Sequence, residues 1–310
     1  MKALPSKSLP GALHADVAGC TFPVDREVNP EIPVNWRIWF VLMAVMVAVV
    51  AVFFLPAIPQ SEAYHNFADK RPFLGIPNCL NVVSNVLFLL VGTLGIRAVL
   101  HSSGRKESHP SSAAIPIPER PTSGSAEFID SRERWPYFTF FVGVASTAFG
   151  SAYYHLNPGD ATLLWDRIPM AIGFMALVAA TVSERINVRI AVRLLIPLLT
   201  LGAGSVVYWD FTEKSGHGDL RPYGLVQFGS LLVLLLMLGL FPPRYTRGSD
   251  LTAALAIYAI AKIFEAADRP IFALSGIVSG HTLKHIAAAT STYWILRMLR
   301  LRAVIHFRPQ

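Results

Sequence analysis

From Ile38 to Ser61 the chain carries no charged side chain, and 36–58 reads as one apolar run. Comparable runs recur at about 79–100, 136–156, 163–184, 190–208, 223–241, 250–268 and 280–301. A helix needs about 20 mostly apolar residues to cross a bilayer. The hydrocarbon core offers no water, so each backbone N–H and C=O must bond within its own helix. Eight runs near that length predict an all-α, multi-pass transmembrane helical bundle. Asn157-Pro158-Gly159-Asp160 supplies a tight turn between the third and fourth runs. Segment 101–135 is rich in Ser and Pro and predicts a flexible linker. Residues 1–35 mix prolines with charges of both signs and predict a mobile tail; 303–310 form a second, short one. Residue 1 is not followed by the basic start and apolar stretch of a secretory signal.

Composition sharpens this picture. Only 15% of the 310 residues are charged and 53% are hydrophobic, against about 25% charged in soluble domains. On the eight-span layout, nineteen of the 27 Lys and Arg fall on one face, within 1–37, 97–134, 185–193, 244–247 and beyond 296. The other face receives Lys70, Arg71, Lys214, Arg221 and Arg269. Basic residues collect on cytoplasmic loops, which puts both termini in the cytoplasm. The same bias explains the net charge of +7 without nucleic acid as a partner. Cys20 and Cys79 make neither a disulfide framework nor a thiolate metal site.

Polar residues at membrane depth are then the informative ones. Ser151 and His155 lie four apart and share a helix face, and His281 and His285 repeat that spacing. With Asp166 they all fall near the non-cytoplasmic end of their spans. Catalytic zinc typically has three protein ligands and an open position. His155, His281 and His285 would supply three nitrogens from two helices, with Asp166 orienting a ligand or water. Each group also has a plainer reading. A single membrane Ser or His often bonds a neighbouring helix. Asp166 and Arg167 could pair with each other, and Asp160 reads as a turn residue. Lys284 is expected to snorkel to the interface, and Glu184 and Arg185 mark the end of a span. Lys262, Glu265, Asp268 and Arg269 suggest a charge ladder along the seventh span.

The order of these elements resembles one family. "SAYYH", the aspartate eleven residues after its histidine (Asp166), and the late "HTLKH" are similar to the alkaline ceramidases. So is the early "NVVSNVLFLLVG" at 81–92. These enzymes belong to a superfamily with adiponectin- and progestin-type receptors and GPI-lipid remodelling proteins. The resemblance covers about 60–302. It implies a seven-helix ceramidase-like core, zinc on His155, His281 and His285, and roles for Ser151 and Asp166 in the zinc site. It further implies hydrolysis of the amide of ceramide-type lipids; helix 36–58 would be an addition before that core. The family also carries an acidic calcium site before its first core helix. Here that stretch, "SEAYHNFADKRPFLGIPN", holds only Glu62 and Asp69 as carboxylates, fewer oxygens than calcium prefers. His65, Asp69 and Asn78 remain candidates for a polar role there. In the loop 208–223, Asp210, Glu213, His217 and Asp219 could line a lid or simply be solvated.

The expected chemistry is hydrolysis of a membrane-lipid amide. Zinc would acidify water and polarise the carbonyl, Asp166 would carry the proton, and Ser151 would bond the oxyanion. The expected partners are the bilayer and an N-acyl lipid, with no protein partner indicated. A zinc-holding lipid receptor or scaffold without turnover, a haem protein and a transporter remain open alternatives at this point.

Overall fold

The computed structural model describes residues 36–102 and 126–305. The tail 1–35, the linker from 103 to 125 and the last residues from 306 lie outside the described residues.

The first helix, α1 (Trp36–Phe53), is apolar apart from Arg37 in its first turn and has no buried residue. After a connecting segment, α2 (Cys79–Val83) and α3 (Val86–Leu100) follow as a broken rod. The break falls at Ser84 and Asn85, whose side chains donate to the Asn81 carbonyl at 3.1 and 2.7 Å. Short polar side chains compete for backbone carbonyls in this way and loosen a helix.

Next come α4 (Arg134–Leu156) and α5 (Asp160–Arg185). Their three-residue turn is held by the Thr162 hydroxyl, which donates to the carbonyls of Asn157 and Gly159 at 2.7 and 2.9 Å. The two helices lie antiparallel along their length. A Cβ on Gly150 would come 2.0 Å from the Trp165 carbonyl oxygen, and one on Gly143 would come 3.0 Å from the Pro169 oxygen. Small residues let membrane helices approach backbone to backbone in this manner.

α6 (Val188–Lys214) starts at Asn187, whose side chain accepts from the Ile190 N–H at 3.1 Å. It runs past the expected end at 208, helped by an i,i+4 pair between Asp210 and Lys214 at 2.7 Å. α7 (Arg221–Gly224), a π-helical turn at Leu225–Gly229 and α8 (Ser230–Leu240) continue one another. α9 (Gly248–Ala266), α10 (Asp268–Ser275) and α11 (Gly280–Leu301) complete the described chain. No strand occurs among the described residues, only isolated bridges.

Neighbours run α9–α11–α3–α4–α5–α6, with α8 against α5, α9 and α1. Each of the eight expected spans coincides with a helix or a broken helix. Five, namely α1, α2–α3, α5, α6 and α7–α8, are long and apolar enough to cross a membrane. The other three, α4, α9 and α11, carry interior polar groups of their own, among them Ser151 and His155, Asp250, and His281 and His285.

At the end of the bundle away from His155 and His281, Arg302 is fully buried between aromatic rings, 3.9 Å from that of Tyr245. It pairs with Glu184, which also accepts from the Tyr137 hydroxyl at 2.7 Å. Tyr245 donates to buried Glu133. A buried cation with its own carboxylate and a ring of phenols forms a network with its donors matched, while Glu133 Oε1 is buried without a hydrogen bond. Two carboxylates share it, and burial pushes Glu133 up to about 7 from an ordinary 4.5.

Two outcomes are expected. Gly150→Ala forces α4 off α5 and costs about 1–3 kcal/mol, as overpacking does, read as a lower unfolding midpoint in detergent. The raised pKa of Glu133 means the folded state holds that proton more tightly than the unfolded chain. Its stabilising contribution is present below 4.5 and lost as pH rises through about 7. The midpoint therefore falls across that window in the native protein and less so in Glu133→Gln; equal slopes would refute the assignment.

Candidate metal centre

α4 ends, and α11 begins, at the same place in the bundle. Ser151 and His155 lie one turn apart near the end of α4, and His281 and His285 one turn apart at the start of α11; all four are buried. The Nε2 atoms of His155 and His285 are 3.3 Å apart. One ring nitrogen from each of the three histidines lies within 4.8 Å of the others. The rings meet at steep angles, with centroids 4.8–4.9 Å apart. This buried group could hold a metal ion, and among the described residues it is the one group of His, Cys, Asp or Glu that could.

Surrounding residues fix each ligand. The Ser84 hydroxyl lies 2.8 Å from His285 Nδ1, so a ring nitrogen is left for the centre. Asn78 donates to the His155 carbonyl at 2.8 Å. Ser279 caps α11 by accepting from Thr282 N–H at 3.1 Å, and the Thr282 hydroxyl donates to Asn81 at 2.7 Å. Asp268 accepts from the backbone N–H groups of His281 and Ala68, both at 2.8 Å. Gly280 allows this, because a Cβ there would lie 2.3 Å from the Phe264 oxygen and 2.7 Å from Asp268 Cα. The Phe67 ring covers His155 and His281 at centroid distances of 4.7 and 4.6 Å. His281 Nε2 stays buried without a hydrogen-bond partner. Buried polar atoms are normally satisfied, and a nitrogen facing a cation would be.

Asp166, on α5, is buried beside the Ser151 hydroxyl, where the close approach at Gly150 brings the two helices together. Both line, with His285, a mainly apolar cavity of about 610 Å³. All five expected residues thus collect at one place: three as a potential ligand set, two in the adjoining wall.

Several other expectations change. Lys284 does not reach outward: its Nζ lies 2.7 Å from Glu265 inside the bundle. A carboxylate across the interior outweighs the climb to the interface. Lys262 pairs with Glu265 as the i,i+3 spacing suggests, but the ladder stops there. α9 ends at Ala266, Asp268 caps α11, and Arg269 donates to the Asn66 carbonyl at 3.2 Å. Asp166 and Arg167 do not pair, since adjacent helical residues point to different sides. Arg167 donates to Gln60 at 2.6 Å and stacks on Trp209, Tyr223 and Tyr64. Asp160 is more than a turn residue, because it begins α5 and lies 3.1 Å from His65 Nε2.

The calcium candidates have other partners. His65 Nδ1 also meets the Tyr154 hydroxyl at 3.0 Å. Asp69 is gripped by Arg71 at 2.8 Å through both oxygens, which holds its carboxyl below the usual range. Asp210, Glu213, His217 and Asp219 do not line the cavity. Sequence reasoning missed Ser84, Phe67 and the capping role of Asp268. Only Ser84 left a signal, as one of three polar residues in the otherwise apolar "NVVSNVLFLL". A scan against protein-family models found no match for this chain, and a search of curated proteins found none.

The purified protein is expected to bind one equivalent of a transition-metal ion, and His281→Ala none. Ser84→Ala should weaken binding about 10–100-fold, as loss of an orienting partner does, measured by chelator competition. Unchanged metal content in His281→Ala would rule the centre out.

Proposed function

We propose that this chain is an integral-membrane, zinc-dependent hydrolase that cleaves the amide bond of ceramide-type or related N-acyl lipids. The observation that carries the reading is that the three-histidine group adjoins an apolar cavity lined by one of its members, His285, together with Asp166 and Ser151. Zinc suits the donors. Nitrogens about 2.0–2.1 Å from a tetrahedral ion sit about 3.3 Å from one another, which is the His155–His285 separation. Among the described residues no fourth His, Cys, Asp or Glu atom joins the group, which leaves a coordination position open, as catalytic sites do and closed structural sites do not.

When bound, the ion would supply Lewis acidity toward the amide carbonyl and lower the pKa of water. The chain's own groups do the rest. Asp166 accepts the proton of the attacking water and hands it to the amide nitrogen as the C–N bond breaks, giving a carboxylic acid and an amine. Ser151 donates to the carbonyl oxygen as charge develops on it, an interaction of about 2.7–4 kcal/mol in comparable oxyanion holes. The acyl chain lies against Phe88, Phe140 and Ile295.

The same reading takes all eight long helices as spans, a seven-helix core preceded by α1. Both termini are then cytoplasmic, with the histidines toward the other face. It follows the Lys and Arg distribution and the lining of α4, α9 and α11 with inward polar groups.

Asp166→Asn should lower hydrolysis of an N-acyl lipid about 10²–10⁴-fold, the usual worth of a positioned acid–base, while metal content stays at the native level. Full turnover by metal-free His281→Ala protein would sink the proposal.

A further inference from the structure

The cavity's charges do not balance. Arg167, Lys262 and Lys284 line it with only two carboxylates, Asp166 and Glu265; Arg221 lines it too but is matched by Asp219 at 2.8 Å. Lys262 and Lys284 both depend on Glu265, one on each oxygen, and pair with no other carboxylate among the described residues. Glu265 also accepts from the Tyr64 hydroxyl at 3.2 Å, and the Tyr64 ring lies 5.6 Å from the Arg167 guanidinium. Among the described residues Arg167 forms no ion pair with a carboxylate: its Nη2 donates to Gln60, and its Nη1 is buried without an acceptor. The result is a continuous rim of three cations around one shared carboxylate, with Asp166 committed beside Ser151.

Buried charge without a counter-charge is costly and persists in membrane helices mainly where function requires it. A wholly neutral ligand would leave this excess in place. An anionic one would relieve it.

Position decides which part of a lipid meets the rim. On α11, Lys284 adjoins His285, and Ile295 lies about 15 Å further along the helix at 1.5 Å per residue. The lining around Ile295, Phe140 and Phe88 is apolar. An acyl chain held there, with its amide at the histidines, leaves the amine side at the cationic rim.

We propose that the lipid bound here carries an anionic group, a carboxylate or a phosphate monoester, on the amine side of its amide, seated against Lys262 and Lys284. This rests on the amide-hydrolase reading but is tested apart from it. Three probes share one acyl chain: N-palmitoylglycine, N-palmitoylphosphoethanolamine and neutral N-palmitoylethanolamine. Binding to the purified full chain in uncharged detergent is measured, with hydrolysis followed in parallel. The expectation is that at least one anionic probe binds about tenfold more tightly than the neutral one, the size of one charge-assisted contact. The tighter of the two identifies the oxygen source. Lys262→Met erases that ratio and Lys262→Arg keeps it. Glu265→Gln, which frees both lysines, raises it, a direction that misfolding cannot produce. Equal binding of all three probes overturns the inference, as does a ratio unmoved by Lys262→Met. Anionic preference without hydrolysis of any probe leaves the inference standing and removes the hydrolase reading; hydrolysis without preference does the reverse.

Discussion

Where α4 meets α5, Gly150 lies so close to the Trp165 carbonyl that no Cβ fits between them. That approach sets the next residue on each helix, Ser151 and Asp166, against each other in the cavity wall. One turn further along α4, His155 reaches α11 and meets His285. Backbone separation between two helices thus fixes a carboxylate, a hydroxyl and an imidazole relative to one another. In a medium without water, such fixing comes from helix packing rather than solvation.

The interior polar groups divide between the two ends of the bundle. At one end Arg302, Glu184, Tyr137, Tyr245 and Glu133 close a network in which nearly every donor finds an acceptor. At the other end satisfaction is deliberately incomplete in its chemistry: His281 Nε2 and Arg167 Nη1 lack partners, and two lysines share one carboxylate. The first pattern holds helices together. The second has the open valences expected where something else binds.

Much of this could be read from the sequence, because i,i+4 spacing fixes a helix face and hydrophobic runs fix depth. Ser151, His155, Asp166, His281 and His285 all follow from those two rules. What spacing cannot give is the identity of the helix opposite. Lys284 looked free to snorkel because Glu265, nineteen residues earlier in another helix, could not be placed across from it. Asp160 looked like a plain turn residue because His65 reaches it from a segment nearly a hundred residues away. The ladder on α9 failed for a local reason, the interruption at Ala267 that turns Asp268 toward α11. The basic residues hold a quieter lesson. Sorting them by face leaves Arg167, Lys262 and Lys284 on neither side, and those three line the cavity together.

The segment between α1 and α2 reads as a mere connection, yet the Phe67 ring packs at a tilt against two of the histidines, 4% exposed. Its neighbour Ala68 is pinned to Asp268, and Arg71 grips the carbonyls of Gly276 and Ile277. This stretch is a stopper, wired shut from the far side of the bundle. Beneath it the cavity extends to Ala48 and Val52 of α1, a helix with nothing buried. If the chain works as proposed, its substrate enters sideways: a lipid slides in from the bilayer beside α1, while the other approach to the histidines lies under Phe67.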